Sequence, residues 1–151
     1  MTIAIEPISL PDQLEPLIRE SVREGYRFVQ RLADEYSSGA NRFDRPGERL
    51  AVARIGSELI GICGLNEDPY LGDPAFVRLR HLYVSADWRR QGVARRLVEF
   101  VLEEARWEGK TVVLRTDNPE ADRFYRKLGF AAGNRFAHAT HYLLPDTRVQ
   151  K

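Results

Sequence analysis

A strand-like run meets an amphipathic helix at a basic turn that contains a glycine, and this junction constrains the chain more than any other stretch. The run ends at Val84, the turn contains Gly92, and the helix follows directly. The first amide groups of a helix have no partners within the helix and carry the positive end of its dipole. A phosphate beside Gly92 would therefore meet several donors, and glycine lets the backbone approach it closely. The junction predicts an anion-binding turn.

The helix after this turn has one apolar side. Apolar residues recur at three- and four-residue intervals and charged residues fill the other side, as in a helix that packs on a core. The apolar positions are Ala94, Leu97, Val98, Val101, Leu102 and Ala105. The arginines around the turn are Arg89, Arg90, Arg95 and Arg96. Capping one helix does not require four positive charges, although a solvated loop before a packed helix is the alternative interpretation.

The composition is that of one globular domain. The chain has 151 residues, of which 43% are hydrophobic and 30% are charged, which excludes both a disordered tail and a membrane protein. No apolar run approaches the roughly 20 residues that span a bilayer, and the amino terminus lacks the pattern of a signal peptide. We therefore expect a cytoplasmic protein without a membrane partner.

Charge and cysteine content argue against further classes of partner. The 23 basic and 22 acidic residues give a net charge of +1, so nucleic acid is not expected as a partner. Cys63 is the only cysteine and the three histidines are scattered along the chain. We therefore expect neither a disulfide nor a metal site.

Periodicity predicts an α/β (α+β) chain. In chain order the predicted elements are an edge strand over 2–9, helices on both sides of Gly25, strands over 50–55 and 59–65 joined by a hairpin at Gly56, a strand over 76–84, the amphipathic helix, a buried strand over 110–116, a helix that is capped by Asp117 or Asn118 and ends at Gly129, and closing strands over 130–132 and 140–144. These assignments follow from apolar spacing and from the positions of glycine and proline. The strand, helix, strand order implies a right-handed crossover between parallel strands. We expect one domain over 1–146 and a frayed tail over 147–151.

Two motifs in the chain resemble the GNAT family of N-acetyltransferases. Residues 89–94 resemble the family's Gln/Arg-x-x-Gly-x-Gly/Ala acyl-CoA loop, whose backbone amides hold the CoA pyrophosphate. Residues 118–130 resemble its Asn-x-x-Ala-x-x-Phe-Tyr-x-x-x-Gly-Phe signature, and the order of elements is similar over roughly 2–145. The resemblance implies a single GNAT-like domain. Its sheet would be mixed and mostly antiparallel, with six to seven strands, a splayed central parallel pair and about four flanking helices.

The resemblance implies that acetyl-CoA is the co-substrate and that the splayed strands hold its pantetheine arm. The arm would hydrogen-bond to the main chain near Leu82 and Val84. Asn118 would bind beside the arm, and Tyr125 would lie near the sulfur and protonate the leaving thiolate. The cofactor-binding residues implied in this way are Leu82, Tyr83, Val84, Arg89, Arg90, Gln91, Gly92, Val93, Ala94, Arg95, Asn118 and Tyr125. Without the resemblance, Tyr125 would be interpreted as a core residue and Asn118 as a helix cap.

The reaction that the resemblance implies is direct attack by a substrate amine on the thioester. An alkyl amine with a pKa of about 10 is almost entirely protonated at neutral pH, so a base, or a water relay to one, is useful. A main-chain amide at Val84 or beside it would hold the negative oxygen that develops on the thioester.

The general base is the point at which the sequence departs from the family. Many relatives carry Glu or His at the position of Arg78, and arginine cannot act as a base at ordinary pH. The alternatives in this chain are Glu67, Asp68, His81, His138, His141 and a chain of water molecules. In a regular strand His81 would face away from Arg78 and Arg80, which favours a core or helix-facing role for it. Glu67 is the predicted catalytic base.

Arg78 and Arg80 are the predicted substrate-binding residues, because a cleft with two arginines favours an acceptor that carries a carboxylate or phosphate besides its amine. The predicted function is transfer of an acetyl group to a primary amine of a small molecule or amino-acid-like acceptor in a ternary complex. One alternative is an acetyltransferase for lysines or amino termini of proteins and peptides. Others are a non-catalytic CoA-binding sensory module and a basic nucleic-acid-binding domain. The sequence leaves the oligomeric state open, with a homodimer as one form.

Overall fold

A computed structural model describes residues 2–7 and 14–145 of the chain. In chain order its elements are β1 (Ala4–Pro7), α1 (Glu15–Arg23), α2 (Phe28–Ser38), β2 (Arg49–Ile55), β3 (Glu58–Glu67), β4 (Phe76–Val84), α3 (Val93–Trp107), β5 (Thr111–Leu114), α4 (Pro119–Lys127), β6 (Ala131–Ala132) and β7 (His141–Leu143). A short 3-10 helix, Ala86–Trp88, lies between β4 and α3. The predicted tail over 147–151 and the predicted end of the first strand at Ile8 and Ser9 lie outside the described residues.

Seven strands form one mixed sheet within the described ranges, in the order β1-β2-β3-β4-β5-β7-β6. The central neighbours β4 and β5 are parallel, and the other neighbouring pairs are antiparallel. The predicted sheet with its parallel pair and about four helices is thus confirmed. β5 is shorter than the predicted strand over 110–116, because the chain leaves the ladder after Leu114. The N–H of Thr116 donates instead to the side chain of Thr140, at 3.0 Å.

The parallel pair separates soon after it begins, as predicted. β5 pairs with only the first three residues of β4, up to Arg78. β4 then continues to Val84, paired there with β3 alone. The edge of β4 that faces β5 is therefore open over its second half, which creates a gap in the middle of the sheet.

A bulge in β4 lies beside this gap. Arg80 pairs with Gly64 and Tyr83 pairs with Ile62, so β4 has one residue more than β3 between these pairs. His81 has φ of +63°, a left-handed backbone conformation that is uncommon for a residue other than glycine. The bulge ends the regular alternation of β4, because an additional residue changes which face the following side chains occupy.

Helices cover both faces of the sheet. α3 packs on one face through its predicted apolar stripe, in which Leu97, Val98 and Val101 are fully buried. α1 and α2 cover the other face, where Leu32 is fully buried against strand residues. Among the described residues no helix is both long enough and apolar enough to cross a membrane. The gap between β4 and β5 therefore lies between two helical layers, with α1 and α2 on one side and α3 on the other.

Candidate active site

The gap between β4 and β5 is the mouth of a cleft of about 440 Å³. Four segments of the chain line it: the connection between α1 and α2, the second half of β4 with the turn that follows, the end of β5, and the first turns of α4. The lining residues are Tyr26, Phe28, Leu79, Arg80, His81, Leu82, Tyr83, Val84, Arg89, Leu114, Arg115, Thr116, Asn118, Ala121 and Tyr125. The fold thus brings Tyr125 and Asn118 to the same cleft as the predicted main-chain positions of β4.

A second cavity, of about 430 Å³, lies at the basic turn before α3. Its lining residues are Val84, Trp88, Arg89, Arg90, Gly92, Val93, Ala94, Arg95, Phe124, Lys127 and Leu128. Val84 and Arg89 line both cavities, so the two adjoin at the end of β4. Gln91 does not line either one, because its side-chain amide donates to the carbonyl oxygen of Asp87 at 3.3 Å.

The start of α3 is open toward this second cavity. Gly92 is the N-cap residue, with φ of +80°, and no side chain caps the helix. No heavy atom lies within 4 Å of the position that a Cβ at Gly92 would occupy, so this N-cap residue is not crowded by neighbouring groups. Arg90 also has a positive φ, +63°. Uncapped amides beside basic residues suit a phosphate group, and the site therefore fits the diphosphate of a CoA molecule.

The side chain of Arg89, a predicted cofactor-binding residue, forms an ion pair within the protein. Its guanidinium contacts the carboxylate of Glu24 on α1, with Nη2 to Oε1 at 2.6 Å and Nη1 to Oε2 at 3.2 Å. Its Nε donates to the carbonyl oxygen of Val84 at 2.8 Å. The charge of Arg89 is therefore engaged within the protein, and its side chain connects the basic turn to α1.

Tyr125 presents a protonated hydroxyl to the cleft. The residue is 7% exposed, and its ring packs against the rings of Phe124 and Phe130. Burial raises the pKa of the Tyr125 hydroxyl, so the group keeps its proton at neutral pH. The hydroxyl makes no hydrogen bond to another described residue. It is free to donate to a group that occupies the cleft.

Asn118 caps α4, as the sequence allowed. Its Oδ1 accepts hydrogen bonds from the N–H groups of Glu120 and Ala121, at 2.8 and 3.4 Å. The cap uses the carbonyl oxygen of the side chain, and its Nδ2 group remains for a partner in the cleft. Asn118 can therefore cap α4 and also contact a bound pantetheine arm in the same side-chain conformation.

Arg78 is not brought to the cleft. It is 5% exposed, its Nε lies 2.7 Å from Oδ1 of the fully buried Asp68, and its guanidinium covers the ring of Tyr70. The side chain of Asp68 also accepts from the backbone N–H groups of Tyr70 and Leu71. An arginine held in this way is a structural element of the loop between β3 and β4. Arg80 does line the cleft, and Arg115 lines it as well. Sequence reasoning missed Arg115 because the residue was assigned to a buried strand.

Glu67, the predicted base, lies in a separate polar cavity between the loop after α2 and the end of β3. Its carboxylate is 3.8 Å from Arg45. Two of the alternative bases are also engaged away from the lining of the cleft. His138 stacks on Tyr70, and His141 lies between Asp122 and Thr140, with Nε2 to Oδ1 at 2.7 Å and Nδ1 to Oγ1 at 2.8 Å. The ring of His141 lies beside that of Tyr125, with their centroids 6.2 Å apart, but both of its nitrogens are already engaged. None of Glu67, His138 and His141 lines the cleft.

His81 is the histidine that lines the cleft. The expectation that it faces away from Arg78 assumed a regular strand, and the bulge removes that assumption. Its ring packs against Phe28 and Phe43 on the α2 side of the sheet. Burial, together with the charge of Arg80, lowers the pKa of His81 to about 3, although the Phe28 backbone opposes the shift. The imidazole is neutral at physiological pH and does not retain a proton taken from an amine.

The cleft carries uncompensated positive charge. Its lining residues include no aspartate and no glutamate. Within the described residues Arg80 and Arg115 have no ion pair, whereas Arg89 is paired with Glu24. Two free guanidinium groups in a cavity without acids favour an anionic group of a bound molecule.

Comparison with known proteins gives a family for this arrangement. The chain matches the acetyltransferase (GNAT) family over residues 14–130. Human N-acetyltransferase 8 is 32% identical over 120 residues, which are 68% of this chain and 52% of the human protein. The chain thus spans about half the length of this curated relative.

Solved structures share the fold. A candidate acetyltransferase from Exiguobacterium sp. 255-15 superposes with a TM-score of 0.83 and 28% identity, covering 95% of this chain and 94% of the other. A candidate acetyltransferase from Salmonella typhimurium, solved with its cofactor acetyl-CoA, superposes with a TM-score of 0.71 and 17% identity, covering 97% and 95%. The chain belongs to the acetyltransferase (GNAT) family.

Breaking the pair of Asp68 and Arg78 is expected to destabilise the fold without removing a residue from the cleft. In Asp68→Asn the buried guanidinium loses its counter-charge, which costs about 3–5 kcal/mol in comparable buried pairs. Urea unfolding measures the change in the free energy of unfolding. The control is Glu15→Gln, which removes the exposed partner of Arg19 and should cost less than about 0.5 kcal/mol. Equal effects of the two variants would contradict a structural role for the buried pair.

Proposed function

We propose that the protein is an acetyl-CoA-dependent N-acetyltransferase that acts on a primary amine of a small molecule or amino-acid-like acceptor. The observation that carries the proposal is the junction of two cavities at Val84 and Arg89. One cavity has the uncapped amides of α3, which suit a diphosphate, and the other has the buried hydroxyl of Tyr125. Membership of the acetyltransferase family supports the same reaction.

The proposed cofactor position follows from two sets of backbone groups that have no partner in the fold, at the start of α3 and along the open edge of β4. The amides of Val93, Ala94 and Arg95 at the start of α3 would hold the diphosphate. The pantetheine arm would extend along the open edge of β4 at residues 82–84, in the manner of an added strand, because β5 no longer occupies that edge. Asn118, on the opposite wall of the cleft, would donate to the arm through its side-chain amide.

The roles of the chain in the reaction follow from this placement. Acetyl-CoA supplies an acetyl thioester, and the acceptor supplies a neutral amine that attacks its carbonyl carbon in a ternary complex. A backbone N–H at the end of β4, at Val84 or beside it, would stabilise the charge that develops on the carbonyl oxygen. The hydroxyl of Tyr125 would donate its proton to the departing sulfur. Burial keeps this hydroxyl protonated until the thiolate forms.

The acceptor class is proposed from the charge of the cleft. Arg80 and Arg115 line it without acidic partners, so a carboxylate or phosphate on the acceptor would replace water around two guanidinium groups. The aromatic rings of Tyr26 and Phe28 form another part of the wall, which suits an apolar portion between the amine and the anion. These features favour a small amine that carries an anionic group over a simple polyamine.

Replacing Tyr125 by Phe is expected to slow transfer and to leave cofactor binding intact. The change removes only the hydroxyl, so kcat should fall by about 100-fold, the usual contribution of a positioned proton donor. Release of free CoA measures the rate, and the thermal shift that acetyl-CoA produces measures binding. Tyr142→Phe, the same change on β7 outside the cleft, is the control. An unchanged kcat in Tyr125→Phe would rule out the assigned role.

Replacing Arg80 or Arg115 by Gln is expected to impair acceptors that carry a carboxylate. The probes are 4-(aminomethyl)benzoate and benzylamine, which differ only in the carboxylate. Each variant should lower kcat/KM for the carboxylate probe by about 10- to 100-fold, because a hydrogen bond to a charged group contributes about 1.5–3 kcal/mol. Benzylamine should be a poor acceptor for every form of the protein. If the native protein uses both probes equally well, the anionic acceptor class is wrong.

A further inference from the structure

The proposed reaction requires that an ammonium group lose a proton inside the cleft. Attack on the thioester needs the neutral amine, and at neutral pH nearly all of an alkyl amine is protonated. The lining of the cleft provides no carboxylate to take the proton. Its arginines cannot act as bases, and burial lowers the pKa of His81 to about 3, so its imidazole does not hold an additional proton at neutral pH. The proton must leave by another route.

Tyr83 connects the cleft to two carboxylates that do not line it. Tyr83 is one of the residues that line the cleft, and its hydroxyl oxygen lies 2.7 Å from Oε2 of Glu20 and 2.6 Å from Oε1 of Glu24. Glu20 lies near the end of α1 and Glu24 is the C-cap residue that follows it, four residues on and therefore on the same side. Tyr83 is 4% exposed, so its hydroxyl reaches the glutamates from within the protein.

This cluster has more acceptor positions than protons. The phenol has one proton and can donate it to one carboxylate at a time. The other contact then brings two oxygen atoms within 2.7 Å without a proton between them. Other donors reach both carboxylates. Ser85 donates to Oε1 and the N–H of Ala86 donates to Oε2 of Glu20, and Arg89 donates to both oxygens of Glu24. A second proton that reached the cluster would therefore have an acceptor oxygen within hydrogen-bonding distance.

We propose that Tyr83 is a catalytic residue that carries the proton of the acceptor ammonium to Glu20 and Glu24. This inference rests on the proposed function. The N–H bond of the ammonium breaks, and its proton passes to the hydroxyl oxygen of Tyr83. The proton that Tyr83 held passes at the same time to a carboxylate oxygen of Glu20 or Glu24, which becomes a carboxylic acid. The amine keeps the electron pair with which it attacks, and the carboxylic acid releases its proton to water.

The protonation states of the three side chains fit this route. Burial raises the pKa of the Tyr83 hydroxyl, and the two glutamates raise it further, so the phenol is never left ionised at neutral pH. Hydrogen bonds from Arg89 and then Tyr83 lower the pKa of Glu24. For Glu20, burial favours the acid, but hydrogen bonds from Ala86, Tyr83 and Ser85 outweigh it and the pKa is lowered. Both carboxylates are thus ionised and ready to accept.

The driving force for deprotonation comes from the solvent and the arginines. Glu24 is exposed at the surface, so a proton that reaches it equilibrates with water. Arg80 and Arg115 lower the pKa of an ammonium bound beside them, because like charges disfavour its protonated form. The charged groups that face the cluster are Glu20, Arg23 and Glu24 on α1 and Arg89 on the turn. Glu20 and Glu24 take part only through Tyr83, because their hydrogen bonds hold its hydroxyl in position.

The test compares two acceptors that differ in whether their amine is protonated. 4-(Aminomethyl)benzoate is an alkyl amine and is protonated at neutral pH, whereas 4-aminobenzoate is an aryl amine and is already neutral. Tyr83→Phe keeps the ring and removes the hydroxyl. It should lower kcat for the alkyl amine at neutral pH by about tenfold or more, and leave kcat for the aryl amine unchanged. When the pH is raised toward the pKa of the alkyl amine, the kcat of Tyr83→Phe should approach that of the native protein.

Controls separate proton transfer from a structural effect. Tyr36→Phe makes the same chemical change on α2, outside the cleft, and should alter neither rate. Glu20→Gln and Glu24→Gln should each reproduce part of the loss for the alkyl amine, with the same recovery at high pH. The thermal shift with acetyl-CoA should be unchanged in Tyr83→Phe, which shows that the fold and cofactor binding persist.

Two results would overturn the inference. If Tyr83→Phe slows both acceptors equally, or if high pH does not restore the rate, then Tyr83 only supports the wall of the cleft. If the rates are unchanged, the proton leaves by another route. Both results require that the native protein acetylates the probes. A native protein that acetylates neither amine would instead count against the proposed function, and the proton route would fall with it.

Discussion

The early separation of β4 from β5 is the constraint on which the rest of the site depends. Central strands normally have both edges paired, because an unpaired buried backbone group is costly. Here β4 keeps only β3 as its neighbour beyond Arg78, and the open edge becomes the wall of a cleft. The bulge is maintained by packing, since the ring of Phe43 lies over Gly64 and meets His81 edge-on. A side chain at residue 64 would displace that ring.

The distribution of charge completes the site. In the loop between β3 and β4, Asp68 neutralises Arg78 inside the protein. At the basic turn, Glu24 neutralises Arg89 and ties the turn to α1. Among the arginines that line the cleft, Arg80 and Arg115 have no acidic partner in the described chain, whereas Arg89 does. The negative charge of α1 lies behind the wall and reaches the cleft through one phenol. The proposed acceptor anion and the proposed proton route thus involve different parts of this charge distribution.

Much of the fold could be predicted from the sequence because it depends on local patterns. The stripe of α3, the cap at Asn118 and the hairpin at Gly56 are each determined by residues close in the chain. The roles of Arg78, Arg89 and Glu67 could not be predicted, because each depends on a partner brought near by tertiary structure. Alternation along a strand also failed at His81, where one additional residue changes the face. The hydrogen bonds of the cluster around Tyr83 join residues that lie 59 to 66 positions apart in the chain. No local sequence pattern marks such a cluster.

The most direct test of the central claim is a crystal structure of the protein with acetyl-CoA. The account predicts that the diphosphate lies on the first amides of α3, that the arm runs along β4 in the gap left by β5, and that the thioester sulfur lies within hydrogen-bonding distance of the Tyr125 hydroxyl. A complex in which the thioester lies outside the cleft, away from Tyr125, would contradict it.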